Sequence, residues 1–179
     1  AKPRSWDGTG LEGRVIGVSP GAAFGSAKRW LPQRFAETAV RLAREIPGGP
    51  ASVAVFGSKD ERDVAEIVTA AIAAQNVTAV NFAGATSLRE FIERAAACRL
   101  FLTNDNGAMH VVSALGVPTV AIFGATNHIT TGPAGTQSRV VREPVDCSPC
   151  LKRECPIDHR CMTRVTADRV VEEALVLIR

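Results

Sequence analysis

The sequence predicts an α/β fold, a doubly wound, Rossmann-like parallel sheet with helices on both faces. Two observations carry this. Short runs of β-branched and apolar residues alternate with longer stretches in which apolar residues recur at the helical period, and Gly, Pro or Asn punctuates the junctions. Strands separated by helix-length connections must pair in parallel through crossovers, which cover the sheet with helices. Length agrees, since 179 residues with 46% hydrophobic side chains suffice for one well-buried domain and fall short of two.

Taken in order, Arg14–Val18 reads as a strand that ends at the turn residues Ser19-Pro20-Gly21. From Pro32 to Ile46 the apolar residues Phe35, Ala39, Leu42, Ala43 and Ile46 mark one helical face, stopped by Pro47-Gly-Gly-Pro50. Ser52–Phe56 is a buried strand, and Lys59–Gln75 an amphipathic helix with Val64, Ile67, Val68, Ala71 and Ile72 inward. Thr78–Phe82 gives a third strand, Ser87 an N-cap for a helix to Ala97, and Arg99–Thr103 a fourth strand. After Asn104-Asp-Asn-Gly107 a short helix runs to about Leu115, Val117–Phe123 forms a fifth strand, and Arg139–Arg142 a sixth. Thr166 caps a closing helix through Ile178, with Val170, Ala174, Leu175 and Ile178 on one face. Residues 1–12 read as a linker or tail, and 143–164 as a Cys-rich loop outside the pattern.

Charge narrows the function classes. The net charge of +3 arises from 21 basic and 18 acidic residues of interspersed sign, which speaks against nucleic-acid binding by a basic stripe. The longest apolar run, Val117–Gly124, is broken by Pro118 and is far below the roughly 20 residues that a membrane crossing needs. The beginning lacks the apolar core of a secretion signal, and without Met at position 1 it points to a piece of a longer chain. Of the five cysteines, four crowd between Cys147 and Cys161, which fits a cytoplasmic location better than a disulfide scaffold.

In such sheets ligands bind beyond the carboxyl ends of the strands. Ser19–Trp30 there combines small residues, whose backbone amides can approach a ligand, with the cations Lys28 and Arg29, and reads either as a phosphate cradle or as a loop with solvated basic residues. In Thr103–His110, Asp105 or Asn106 caps the helix while Gly107 and Ala108 present amides at its positive end, where a diphosphate could be held without metal. His110 is equally readable as a buried histidine bonded to a carbonyl. Asp60 and Glu61 follow the second strand, where an acidic residue can accept from ribose hydroxyls, although Ser58 and Asp60 also suit helix capping. Cys147, Cys150, Cys155 and Cys161 leave three readings open: a zinc or iron–sulfur clip, a disulfide formed on oxidation, or free thiols. Cys98 reads as core.

Together, Pro20-Gly-Ala…Ala27-Lys-Arg-Trp30, Gly57-Ser…Asp60-Glu61, Ala83-Gly-Ala-Thr-Ser-Leu88, Asn104-Asp-Asn-Gly-Ala-Met-His110, Ala114-Leu-Gly-Val-Pro118, Phe123-Gly-Ala-Thr126 and Cys147-Ser-Pro-Cys…Cys155-Pro…Cys161-Met162 resemble the donor half of ADP-heptose:lipopolysaccharide heptosyltransferases, the type II enzymes of glycosyltransferase family 9. The resemblance implies the C-terminal half of a GT-B glycosyltransferase, with the N-terminal acceptor domain absent and an aspartate of that domain as general base for an inverting transfer. It implies ADP-heptose as donor, the lipopolysaccharide inner core as acceptor, no required cofactor, and a cytoplasmic enzyme that can be peripheral at the inner membrane. A fragment of this kind is expected to bind donor and transfer nothing.

The resemblance assigns Lys28 and His110 to catalysis, Lys28 by stabilising the departing diphosphate. It assigns donor binding to Gly21, Ala22, Lys28, Arg29, Asp60 or Glu61 (ribose), Thr86 (adenine pocket), Asp105, Asn106, Gly107, Ala108 and His110. Asn106 stands where relatives carry Ser or Thr, and Leu31 where they carry Pro. Two other readings stay open: a family relative that transfers a different nucleotide-linked sugar, and an interaction module stabilised by metal at the four cysteines.

Overall fold

A computed structural model describes residues 6–179, so the first five residues of the expected linker or tail lie outside the described residues. Six strands form one sheet: β1 (Arg14–Ser19), β2 (Ala51–Val55), β3 (Ala79–Asn81), β4 (Leu100–Asn104), β5 (Thr119–Phe123) and β6 (Ser138–Arg142). Their spatial order is β3-β2-β1-β4-β5-β6, and every pair is parallel. The order reverses between β1 and β4, the point at which the two crossover connections diverge and leave a crevice beyond the strand ends.

Alternation along the strands sorts the core into two layers. Ile16 and Val18 of β1, Val53 and Val55 of β2, and Leu100 and Leu102 of β4 pack against α1 (Pro32–Glu45), α2 (Arg62–Ala73) and α7 (Ala167–Ile178). Val15, Ala54 and Phe101 face the other way, with residues from α3 (Leu88–Ala96) and α4 (Gly107–Ala114). On that face Phe56 and Phe101 stack with ring centroids 5.8 Å apart. A Cβ on Gly17 of β1 would lie 2.3 Å from the Phe101 ring, so the missing side chain makes room for the aromatic layer.

Caps form where the sequence placed them. Ser87 accepts from the Glu90 amide in a reciprocal capping box, and Thr166 accepts from the Arg169 amide. Pro32 opens α1 at its first turn, where no amide is required. Elsewhere the structure departs from expectation. Ile67, expected inward, is half-exposed, because the buried face of α2 (Arg62–Ala73, after a separate 3-10 turn at Lys59–Glu61) is centred on Ala65, Val68 and Ile72 and leaves Ile67 at its edge, while Val68 and Ile72 are buried as expected. Two short helices were not foreseen, α5 (His128–Thr131) and α6 (Arg160–Thr163); α6 carries Cys161 and Met162 of the Cys-rich segment into the core. Within the expected linker or tail, Trp6 and Leu11 join the β1–β4 face, with the Trp6 ring tilted against Phe82.

The largest fully buried side chain is Trp30, which ends the loop after β1. Its ring meets Phe35 edge-on at 5.0 Å, and its indole N–H donates to the Val165 carbonyl at 3.1 Å, tying the β1 loop and α1 to the approach of α7. Trp30→Ala is expected to lower unfolding free energy by about 3–5 kcal/mol, measured as a shifted midpoint in urea with an unchanged slope.

Candidate functional site

A cavity of about 710 Å³ opens beyond the strand ends at the β1–β4 reversal. Its walls come from loops far apart in sequence, and two asparagines knit them together. The side chain of Asn104, the last residue of β4, is fully buried. Its Nδ2 donates to the Pro20 carbonyl at 2.8 Å, and its Oδ1 accepts from the Trp30 amide at 2.9 Å, so both ends of the β1 loop hang on one carboxamide. Asn106 Nδ2 donates to the Gly21 carbonyl at 2.8 Å and to Ser19 Oγ at 3.0 Å, while its Oδ1 caps α4 by accepting from the Met109 amide at 3.1 Å. The amides of Gly107 and Ala108 precede the first donor that a helix can satisfy internally, and both residues line the cavity.

Lys28 reaches the same space. Its ammonium donates to Asp105 Oδ2 at 2.7 Å, with side chains only 15% and 5% exposed, and lies 4.8 Å from the centroid of the Phe24 ring. An ammonium has three donors; one is committed to Asp105 and one side is screened by Phe24, which leaves an arc facing the cavity for an anion. Across from it, Glu61 Oε2 accepts from the Ser58 amide at 2.8 Å in a capping box. The carboxylate therefore serves the helix start and lines the cavity at once.

The structure thus brings Lys28, Glu61, Thr86, Asp105, Asn106, Gly107, Ala108 and His110 to one cavity. His110 is exposed on α4; the residue buried in its place is its neighbour Met109, so the reading of His110 as a buried histidine is corrected. Four expected donor-binding residues lie off the lining. Arg29 turns back, its guanidinium donating to the Ala22 carbonyl at 3.1 Å, and both residues brace the loop. Gly21 is needed for close approach, since a Cβ there would lie 2.3 Å from Glu61 Oε1. Asp60 is exposed outside the cavity, and of the two acidic candidates only Glu61 lines it. Within Ser19–Trp30 sequence reasoning did not single out Ser19 or Phe24, and it missed Phe91 in the lining altogether.

The chain matches the family described as glycosyltransferase family 9 (heptosyltransferase) over residues 3–160. It belongs to that family. This family 9 domain is 32% identical to lipooligosaccharide heptosyltransferase 2 of Campylobacter jejuni over 93% of the chain and 51% of that protein. It is 36% identical to lipopolysaccharide heptosyltransferase 2 of Escherichia coli over 92% of the chain and 47% of that protein. Among solved structures, the E. coli ADP-heptose LPS heptosyltransferase II superposes with a TM-score of 0.83 at 32% identity, over 99% of this chain and 50% of that one. The chain spans about half the length of the curated relatives it matches.

In this family 9 domain the four clustered cysteines face one small cavity of about 60 Å³. All are free thiols, and among the described residues no group of three or more His, Cys, Asp or Glu side chains is arranged to hold a metal ion. Burial first, and the neighbouring Cys147, Cys155 and Cys150 thiols second, push the Cys161 thiol up to about 11; burial alone raises Cys98 further. Because the thiolate is the nucleophile, iodoacetamide at pH 8 should label exposed Cys147 while Cys98 and Cys161 stay unmodified until the chain is unfolded; peptide mass mapping reads the order.

Proposed function

We propose that this chain is the donor-binding half of an inverting heptosyltransferase, holding ADP-heptose by its diphosphate. The observation that carries the reading is the convergence of the Lys28 ammonium and the first amides of α4 on one cavity at the point where the sheet order reverses. A diphosphate bridging them meets one fixed cation and the positive end of a helix. Glu61 lies in the turn that follows the second strand, where its free carboxylate oxygen can accept from ribose hydroxyls, and Thr86 falls beyond the third strand, on the side proposed for the base. The E. coli protein of similar structure is an ADP-heptose LPS heptosyltransferase, which supports heptose as the sugar and the lipopolysaccharide inner core as the acceptor of the whole enzyme.

In the transfer, an acceptor hydroxyl oxygen attacks the anomeric carbon as the bond from that carbon to the diphosphate oxygen breaks, and negative charge grows on the departing ADP. Groups fixed against that oxygen bind the transition state better than the ground state. Lys28 and the α4 amides fill this role, and His110, in the first turn of α4, lines the same cavity. In this reading the general base belongs to an acceptor domain outside this chain, so the chain alone binds donor without transferring sugar; detectable turnover by it would overturn that division. Among the described residues no helix is long and apolar enough to cross a membrane, and the proposed place of work is the cytoplasm, at the inner face of the membrane where the acceptor is built.

Calorimetry tests the nucleotide: ADP is expected to bind more tightly than UDP, and the reverse order would sink the ADP reading. Lys28→Ala should weaken ADP binding by about 1.5–3 kcal/mol, the scale of a hydrogen bond to a charged group, and unchanged affinity would remove Lys28 from the phosphate site. Glu61→Ala should erase the preference for ADP over its 2′,3′-dideoxy analogue; a preference that survives the substitution would place the ribose elsewhere.

A further inference from the structure

Lys28 does not reach the cavity unaided. Its partner Asp105 is 4% exposed, and the carboxylate oxygen that accepts from Lys28, Oδ2, also accepts from the hydroxyl of Thr126 at 2.7 Å. Thr126 follows β5, two strands away from the β1 loop in the sheet order. Residues just before it are anchored in turn: the Leu151 amide donates to the Ala125 carbonyl at 2.8 Å, and Ser148 Oγ donates to the Gly124 carbonyl.

We propose that Thr126 is a positioning residue for Lys28, acting through Asp105. This rests on the reading of Lys28 as a diphosphate ligand. A carboxylate with one bonded oxygen can swing about its last torsion, whereas one that receives two donors on the same oxygen from opposite loops is held in a single orientation. That orientation fixes where the ammonium stands, and an ammonium already in place does not need to reorganise as charge builds on the leaving group. Thr126 itself does not line the cavity. Its effect on a nucleotide therefore passes through the ion pair.

The test is a double-mutant cycle on ADP affinity, measured by calorimetry with Lys28→Ala, Thr126→Val, Thr126→Ser and the double variant Lys28→Ala/Thr126→Val. Thr126→Val keeps the shape and removes the donor, and is expected to weaken ADP binding about tenfold, the scale of one charge-assisted hydrogen bond. Thr126→Ser, which keeps the hydroxyl, should restore affinity to within about twofold. In the Lys28→Ala background the Thr126→Val effect should vanish, because residues that act through one another are not additive. A loss of equal size in both backgrounds, or no loss in either, overturns the positioning role while leaving the donor site intact. A Lys28→Ala variant that binds ADP normally overturns the diphosphate reading instead. If Thr126→Val does not fold, Thr126→Ala removes the same donor and carries the same expectations.

Discussion

A single buried carboxamide governs the geometry of the site. Asn104 ends β4 with its side chain sealed from solvent, and a buried amide must find partners for both its donor and its acceptor or incur its desolvation cost. It finds them at Pro20 and Trp30, ten residues apart in the β1 loop. That loop is rich in Gly, Ala and Ser and has little apolar surface to bury by itself. Pinned at both ends, and at the far end weighted by the buried Trp30 ring, it closes over the reversal point of the sheet and carries Lys28 with it.

The sheet was legible because its signal is local. Runs such as Val53–Phe56 and Val120–Phe123 are buried on both faces and therefore continuously apolar, and the caps Ser87 and Thr166 sit beside the helices they start. The lining of the candidate cavity was legible where it, too, is local: Gly107 and Ala108 at a helix start, Glu61 after a strand, Lys28 after small residues. Its nonlocal part was not. Nothing adjacent to Asn104 in sequence reports a partner at Trp30, and Arg29 beside Lys28 offers the same charge, yet turns to the Ala22 carbonyl while Lys28 reaches the cavity. In α2 only the edge of the expected face was misplaced: Val68 and Ile72 are buried, while Ile67, about 100° round the helix from Val68, falls on the solvent side.

The electrostatics of the cavity differ from what its cations suggest. Lys28 is paired with Asp105, so at close range the two charges largely cancel, and a diphosphate approaching Lys28 also approaches a carboxylate. What remains attractive is directional: the unused N–H groups of the ammonium and the amides that open α4. Such a site discriminates by geometry more than by net charge, and it gains strength as the bridging oxygen becomes more negative. Under the proposed donor-binding role, this suits stabilisation of a departing diphosphate better than simple retention of a charged ligand.

The cysteine segment then acquires a mechanical sense. It touches both loops that position the ammonium: the Arg153 carbonyl accepts from the Ala27 amide at 3.0 Å and a His159 ring nitrogen lies 3.0 Å from the Ala27 carbonyl, one residue from Lys28, while Leu151 holds Ala125, one residue from Thr126. The Arg153 guanidinium also lies over the outer side of Phe24, 5.1 Å from the ring centroid, whose ring screens the ammonium. A segment of irregular backbone, with little regular hydrogen bonding of its own, needs a dense anchor to act as a brace between two loops. The inward packing of Cys161 and Met162 on α6 supplies one, placing a small sulfur side chain and an adaptable thioether in the core beneath the loops that hold the Lys28–Asp105 pair.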